Sequence, residues 1–334
     1  MIKPARIKIG IIVNERCQAS SVFSAIDLII AANYALKHYF DTEEPLFSYQ
    51  LMGLTTKVQA YNGSEISSIT RIQDCKRPDL IILPGAFESV LSSQHSQSLL
   101  AKMNRLFLTL EQWHKEGTTV ASICTGNFIL ASSNIANGRA LTCHWASAEA
   151  ARELFPNELF DTKQLLLDHG DIISAGGAMA VTQLVLYLIS RFHSRELALA
   201  TAKLMMIEMN LDLQSRFAIF KPDKNHSDTL VIKLQNHLES NFQNDVNIAI
   251  FADQEGIGLR QLSRRFKKST GETPLSYLQR FRVEQVKINL ESSNKPISTL
   301  IWNAGYEDPT SFRRLFKRLT GLTMQEYRSR FSYR

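Results

Sequence analysis

Phe251-Ala252-Asp253-Gln254-Glu255-Gly256-Ile257-Gly258 runs straight into Leu259-Arg260-Gln261-Leu262-Ser263-Arg264-Arg265-Phe266-Lys267-Lys268, and about fifty residues later the same plan returns. The second copy runs from Ile297 to Ala304, turns at Gly305-Tyr306, and resumes as Asp308-Pro309-Thr310-Ser311-Phe312-Arg313-Arg314-Leu315-Phe316-Lys317-Arg318. Each copy reads as a short helix, a Gly-containing turn and a second helix whose apolar pair, Leu262 with Phe266 or Phe312 with Phe316, falls at i, i+4. Asp308 suits the N-cap and Pro309 the first helical position. Ser269-Thr270-Gly271 and Leu319-Thr320-Gly321 close the two second helices, with Gly at each C-terminal cap. The last third of the chain is therefore an all-α domain with two helix-turn-helix units.

One such pattern is common among structural helix hairpins. Two in register, each basic on the face opposite its aromatics, suit a protein that reads adjacent turns of double-stranded DNA. Phased on Phe266 and Phe316, the side chains aimed at base edges in the major groove are Arg260, Gln261 and Arg264 in the first unit, and Thr310, Ser311 and Arg314 in the second. Lys267, Lys268, Lys317 and Arg318 lie further along, where phosphates pass. A connecting helix from Pro274 to Leu290 would set the two readers about 34 Å apart on one DNA face.

Charge follows the same division. Through residue 219 there are 19 Lys and Arg against 20 Asp and Glu, and from 220 onward 19 against 12, so the whole +6 excess belongs to the C-terminal part. Such a module displaces counterions from phosphate.

At 334 residues, 44% apolar and 21% charged, the chain has ordinary globular composition and room for two domains. The expectation is that no apolar run reaches the roughly 18 residues of a membrane span and that Met1-Ile2-Lys3-Pro4-Ala5-Arg6 leads into a strand rather than a signal peptide. The expectation is a cytoplasmic protein with no membrane contact. Cys17, Cys75, Cys124 and Cys143 form no CxxC pair and show no zinc spacing, so they read as reduced thiols, with no metal and no cofactor.

Residues 1–217 alternate strands and helices: strands at Ile7–Val13, Phe47–Met52, Leu80–Leu83 and Thr118–Ile123, helices at Phe23–His38 and Leu99–Glu116. Nearly continuous apolar strands between helices imply an α/β domain with a doubly wound, flavodoxin-like parallel sheet. Ligands of such sheets sit beyond the C-terminal strand ends. There Cys124-Thr125-Gly126-Asn127 lies between a strand and the helix Phe128–Ser132, in the manner of a nucleophile elbow whose helix field lowers the thiol pKa. Ala198–Asn210 is a Met-rich amphipathic helix, read as sheet cover with a dimer face as the alternative. Polar 218–228, with Pro222 at its centre, is the linker to the domain 229–334.

From about Asn247 to Phe331 the chain resembles the AraC/XylS family of transcription regulators. The words that carry this are Leu262-Ser263-Arg264-Arg265-Phe266-Lys267, Thr270-Gly271-Glu272-Thr273-Pro274, Tyr277-Leu278, Arg282-Val283, Gly305-Tyr306, Ser311–Lys317 and Tyr327-Arg328. It departs at Ile301, where the family has a small Ala, and at Gly258, where it has a Ser cap. Residues 6–217 resemble the PfpI-type, class I glutamine amidotransferase-like fold. Val120–Gly126, Asn137–Trp145, Phe155-Pro156 and Ile173–Gly177 match the subgroup fused to AraC-type domains, the GlxA-like regulators. Further departures are Gln183, where an acidic residue is usual, and Asp212-Leu213-Gln214, where Gly-Gly-Gln is often seen.

The resemblance implies a sensor domain that binds an unidentified small-molecule effector, a homodimer formed through the α/β domain, and RNA polymerase as a candidate contact. Three roles are open for Cys124: nucleophile, ligand recognition and structural elbow. A nucleophile lacks an adjacent His, since Thr125 follows it; a relative with Cys-Thr-Gly, isonitrile hydratase, also uses an acidic residue near the first strand, where this chain offers only Glu15 and the more distant Asp27. The reading is therefore non-enzymatic, with no catalytic residue. Ligand binding is assigned to Cys124, Thr125, Gly126, Gly85, His144 and Glu15. A cysteine-dependent hydrolase or isonitrile hydratase-like activity at Cys124 is the alternative.

Overall fold

The computed structural model describes residues 6–40, 42, 44–86, 93–209 and 213–332. The chain divides into two compact units, Met1–Gln214 and Ser215–Arg334. Asp212 and Asn210, singled out above, lie outside the described residues.

In the first unit the elements are β1 (Ile7–Ile12), α1 (Ala19–Tyr39), β2 (Phe47–Gly53), β3 (Val58–Gln59), β4 (Glu65–Ile66), β5 (Thr70–Arg71), β6 (Leu80–Leu83), α2 (Ser93–Leu100), α3 (Asn104–Lys115), β7 (Thr119–Ile123), α4 (Gly126–Ser132), α5 (Ala148–Leu154), β8 (Leu166–Asp168), β9 (Ile172–Ala175), α6 (Val181–Phe192) and α7 (Arg195–Leu204). Seven strands form one sheet in the order β5-β2-β1-β6-β7-β9-β8. All pairs are parallel except β8 with β9, so the sheet is mixed at one edge, where the chain doubles back through Gly170 at φ +93°. Side chains alternate between two cores. Ile9, Ile11, Ile82, Ala121, Ile123 and Ile173 face the side covered by α1, α6 and α7, while Ile12, Ile81, Leu83, Val120 and Ile172 face α3 and α4.

Three expectations need correction. The helix drawn from Leu99 to Glu116 is two helices, because Lys102 N and Met103 N turn back to Leu99 O and Leu100 O and Met103 is buried. The Met-rich helix covers Arg195–Leu204 only; Met206 takes φ +52° and stands 94% exposed. Finally, α1 is long and apolar enough for a membrane span by length and composition. Packing accounts for one face of it, since a series from Ala19 and Val22 to Ala35 and Leu36 is buried in the first core, while Phe23, Ile30, Tyr34 and Tyr39 are exposed.

Strand order puts the switch point between β1 and β6. The segments after them, Val13–Gln18 and Pro84–Ala86, therefore open on one crevice, with the β7 end beside it.

The second unit has seven helices among its described residues: α8 (Thr229–Ser240), α9 (Ile248–Gln254), α10 (Leu259–Thr270), α11 (Pro274–Ser292), α12 (Ile297–Asn303), α13 (Pro309–Thr320) and α14 (Met324–Phe331). Two cores form. Val231, Leu234, Leu238, Phe251, Leu262, Phe266, Tyr277 and Leu278 make the first; Val283, Val286, Leu290, Leu300, Ile301, Phe312, Leu315, Phe316 and Tyr327 make the second. The first half of α11 belongs to one core and its second half to the other.

The repeat extends to polar detail. Thr270 and Thr320 hydroxyls both donate to the carbonyl four residues back, at 2.8 Å. Gly271 and Gly321 both cap in the left-handed region, at φ +78° and +76°. Tyr277 OH donates to Glu239 at 2.5 Å, and its counterpart Tyr327 OH to Glu291 at 2.7 Å. Ile301, in place of a small residue, is fully buried in the second core.

Segment 218–228 is held along the helical unit. Lys287 Nζ donates to Ala218 O at 2.6 Å, Phe220 N to Glu284 at 3.1 Å, Gln235 Nε2 to Asp223 O at 2.8 Å and Lys224 Nζ to Glu239 at 2.8 Å. The Phe220 ring stands edge-on to Tyr277 with the Arg280 guanidinium over it.

The two turn glycines differ in surroundings. Gly256 sits at φ +65° with nothing near a notional Cβ, whereas Gly305 at φ +75° would place one 2.7 Å from Gln243 O and 2.9 Å from Arg282 Nη2. Gly256→Ala should cost about 1–2 kcal/mol of backbone strain, and Gly305→Ala more, through the added clash. Urea unfolding of both variants followed by circular dichroism tests this; equal losses would show that the Gln243 contact relaxes freely.

Candidate functional site

On α10 and α13 the aromatics turn inward and the basic residues outward. Leu262, Phe266, Phe312 and Phe316 are buried, while Arg260, Gln261, Arg264, Lys267, Lys268, Thr310, Ser311, Arg314, Lys317 and Arg318 are all exposed. The helix starts differ. Asp308 accepts from Thr310 N at 2.9 Å and Ser311 N at 3.1 Å, whereas Gly258 offers α10 no side-chain cap. Arg265, one step from Arg264, faces elsewhere and pairs with Asp228.

The elbow after β7 is built as expected and covered more tightly than expected. Cys124 takes φ +56°, a strained value for a residue with a Cβ. Its N–H donates to Ala175 O at 2.8 Å. Gly85 lies directly against it, since a notional Cβ there would be 2.9 Å from Cys124 Cβ, and a Cβ on Gly126 would run into the Leu83 carbonyl and sit 2.9 Å from Pro84 O. Thr125 Oγ1 donates to Ala86 O at 2.9 Å and accepts from Ala86 N at 2.8 Å. Gly85, Cys124, Thr125 and Gly126 thus come together as a buried seam.

Burial pushes the Cys124 thiol up to about 12, against the lowering drawn from the helix field. Neighbouring Cys143 is raised to about 12 for the same reason. His144 and Glu15 are not joined to the thiol. His144 Nδ1 accepts from Ala146 N at 3.1 Å, and burial lowers its pKa. Glu15 is exposed and accepts from Gln59 N at 3.3 Å, on the β3–β4 hairpin.

Space at the crevice is unevenly divided. Beside Thr125, between Asn14, Pro84, Ala86, Ser96 and Phe128, a cavity of about 10 Å³ admits one water. Around the start of α1, Gln18, Ala19, Ser20, Tyr61 and Asn62 line a half-open cleft of about 240 Å³. The Arg16 guanidinium stands over the Tyr61 ring at 5.4 Å.

Two residues that organise this region were quoted from the sequence without a role. Asn127 is fully buried, donates to Cys124 O at 2.8 Å and Ala175 O at 3.0 Å, and accepts from Ser122 OH. An amide directly before the apolar run Phe128-Ile129-Leu130 was the available signal. Gln214 donates to Thr142 Oγ1, Cys143 O and Gln164 O and accepts from Trp145 N, against Gly176, where no Cβ would fit. A lone Gln carries no comparable signal.

Comparison with known proteins gives two family matches: the DJ-1/PfpI family over residues 8–191 and a helix-turn-helix domain over residues 251–330. The chain is similar to the HTH-type transcriptional regulator CdhR of Pseudomonas aeruginosa, 23% identical over 268 residues, covering 78% of this chain and 75% of that protein. It is similar to the HTH-type transcriptional regulator GlxA of Rhizobium meliloti, 23% identical over 320 residues, covering 91% and 95%. Among solved structures, a putative transcriptional regulator protein from Vibrio parahaemolyticus superposes with a TM-score of 0.51 at 15% identity, over 60% of this chain and 99% of that one.

Because the Cys124 pKa is raised, the thiol stays protonated through neutrality and ionises only as pH approaches about 12. Iodoacetamide at pH 8 should leave Cys124 unmodified in the folded protein and modify it after unfolding, as read by peptide mass mapping. Rapid labelling of folded protein at Cys124 would mean an open, activated thiol.

Proposed function

The chain belongs to the DJ-1/PfpI family and carries an AraC-type helix-turn-helix domain behind it, and from that premise we propose that it is a sequence-specific DNA-binding transcription regulator governed by a small metabolite. One observation carries the proposal: ten side chains suited to base and phosphate contact are all exposed on two helices whose cores share α11. CdhR and GlxA, with the same architecture, are named transcriptional regulators. In this reading Arg260, Gln261, Arg264, Thr310, Ser311 and Arg314 meet base edges, and Lys267, Lys268, Lys317 and Arg318 meet phosphates.

The sensor role falls to the α/β domain, residues 1–217 by the sequence boundary, with 218–228 leading into the DNA-binding domain. Of the proposed ligand residues Gly85, Cys124, Thr125, Gly126, His144 and Glu15, only Thr125 lines the 10 Å³ cavity, which would have to open to admit an effector. The 240 Å³ cleft at Gln18, Ser20, Tyr61 and Asn62, on the same strand-end side, has room without that change, and the effector is assigned there. A homodimer through the first unit would bring two such DNA readers to paired sites. The protein acts in the cytoplasm, away from membranes, with RNA polymerase as a further contact. A cysteine hydrolase or hydratase fits less well, because the thiol is wrapped and neither His144 nor Glu15 reaches it.

The deciding experiment is recovery of bound fragments from the organism's genomic DNA by purified protein at near-physiological salt. A few sites sharing a two-turn motif are the expected result; random fragments would overturn the reading. On a recovered site, Arg264→Ala or Arg314→Ala should cost about 1–3 kcal/mol and relax preference at one base pair, whereas Lys268→Ala should weaken all duplexes alike. Unchanged preference in Arg264→Ala would show the helix phase to be wrong.

A further inference from the structure

Asp228, the last residue before α8, uses its carboxylate twice. Oδ1 accepts from Val231 N at 3.2 Å and caps α8. Both oxygens also accept from one guanidinium, Arg265 Nε to Oδ2 at 2.9 Å and Arg265 Nη2 to Oδ1 at 2.7 Å. This is the two-pronged geometry in which an Arg fork is filled by a carboxylate.

Arg265 lies on the first reading helix, and helical spacing puts it beside Gln261 at i−4 and Lys268 at i+3, both exposed on the outer face. Its side chain remains 41% exposed while Asp228 is 18% exposed. The second unit makes a different choice. Fifty residues on, the corresponding position is Leu315, buried in the second core. The first unit thus carries a cation where the repeat has an apolar residue, and the segment entering the domain ends in an anion that holds it.

We infer that Asp228 withholds Arg265 from DNA, so that the charge the first reading helix presents to phosphate is set by the end of the segment that leads into α8. This inference rests on the DNA-binding reading above. While the pair is closed, the bidentate donors of Arg265 are occupied and a phosphate would have to displace a carboxylate. Opening it adds one phosphate contact, which carries no sequence information, so binding to all duplexes strengthens and discrimination falls.

Asp228→Asn keeps a good helix cap while removing the anion. In the full-length protein, the slope of log K against log salt on a random duplex should steepen by about 0.9, with affinity at moderate salt rising several-fold. Arg265→Gln alone should leave the slope unchanged, and Asp228→Asn with Arg265→Gln should return it to the wild-type value. Thermal melts confirm that each variant is folded. An unchanged slope in Asp228→Asn, or a steeper slope that survives Arg265→Gln, would overturn the inference. Should Asp228→Asn fail to fold, Arg265→Gln still decides: a slope shallower by about 0.9 means Arg265 was already on phosphate. Failure of wild-type protein to prefer any genomic site would instead strike the DNA-regulator reading itself, a result distinct from every arm above.

Discussion

The DNA-binding half depends on one constraint, that a single helix belongs to two hydrophobic cores. Tyr277 and Leu278 near the start of α11 pack with Leu262 and Phe266, and Val283, Val286 and Leu290 pack with Phe312 and Phe316. At about 1.5 Å rise per residue, this 19-residue helix spans roughly 28 Å. Each reading helix is seated on its own end of that rod, so neither can rotate without disturbing a core closed by buried aromatics. Arg282, between the two sets, donates to Phe242 O and Asn244 O at 2.7 Å and stands over Tyr306, tying the middle of the rod to turns of both units. Two readers seated on one rod are suited to a fixed two-turn site.

In the first unit two effects compete at the same atom. Cys124 stands before a helix N-terminus, which stabilises a thiolate, and inside a seam that excludes water, which opposes it. A helix end contributes at most about 1 kcal/mol in ordinary settings, less than one pKa unit, and α4 has only 7 residues. Complete burial raises the thiol from 9.0 to about 12. Desolvation wins, and it wins because Gly85, Gly126 and Thr125 bring backbone close enough to fill the space a substrate would need. Here the packed junction of β6, β7 and β9 holds the strained elbow in place.

This explains what could be read from the chain before its fold. Nearly continuous apolar strands between helices exposed the sheet, i, i+4 apolar pairs the two reading helices, and the Thr-Gly words their caps, since those signals depend on neighbours in sequence. The lining of the crevice does not. The closeness of Gly85 to Cys124, the diversion of Glu15 to Gln59 and of His144 to Ala146, and the fourfold bonding of Gln214 all join residues distant in sequence or unremarkable in type. The break in the helix at Lys102 was hidden because no Gly or Pro marks it. Arg265 stood in the sequence only as part of the word Leu262-Ser263-Arg264-Arg265-Phe266-Lys267, and its partner 37 residues away is what separates it from Arg264.

Segment 218–228 is polar in composition, as a free linker would be, yet it completes the domain it enters. Lys287 is 4% exposed and Glu284 8%, and each spends a hydrogen bond on the segment backbone, at Ala218 O and Phe220 N. Gln235, fully buried, donates to Asp223 O. Peeling the segment away would leave buried polar and charged groups short of partners, at a cost of about 1–3 kcal/mol for each neutral group and more for the ions. Such an attachment persists under folding conditions, so Asp228 is delivered to Arg265 by a strap rather than by chance encounter. The hydrogen bonds that seat the strap and the ion pair at its end are therefore parts of one device: the first secures the backbone, and the second decides whether one cation on the reading helix is free.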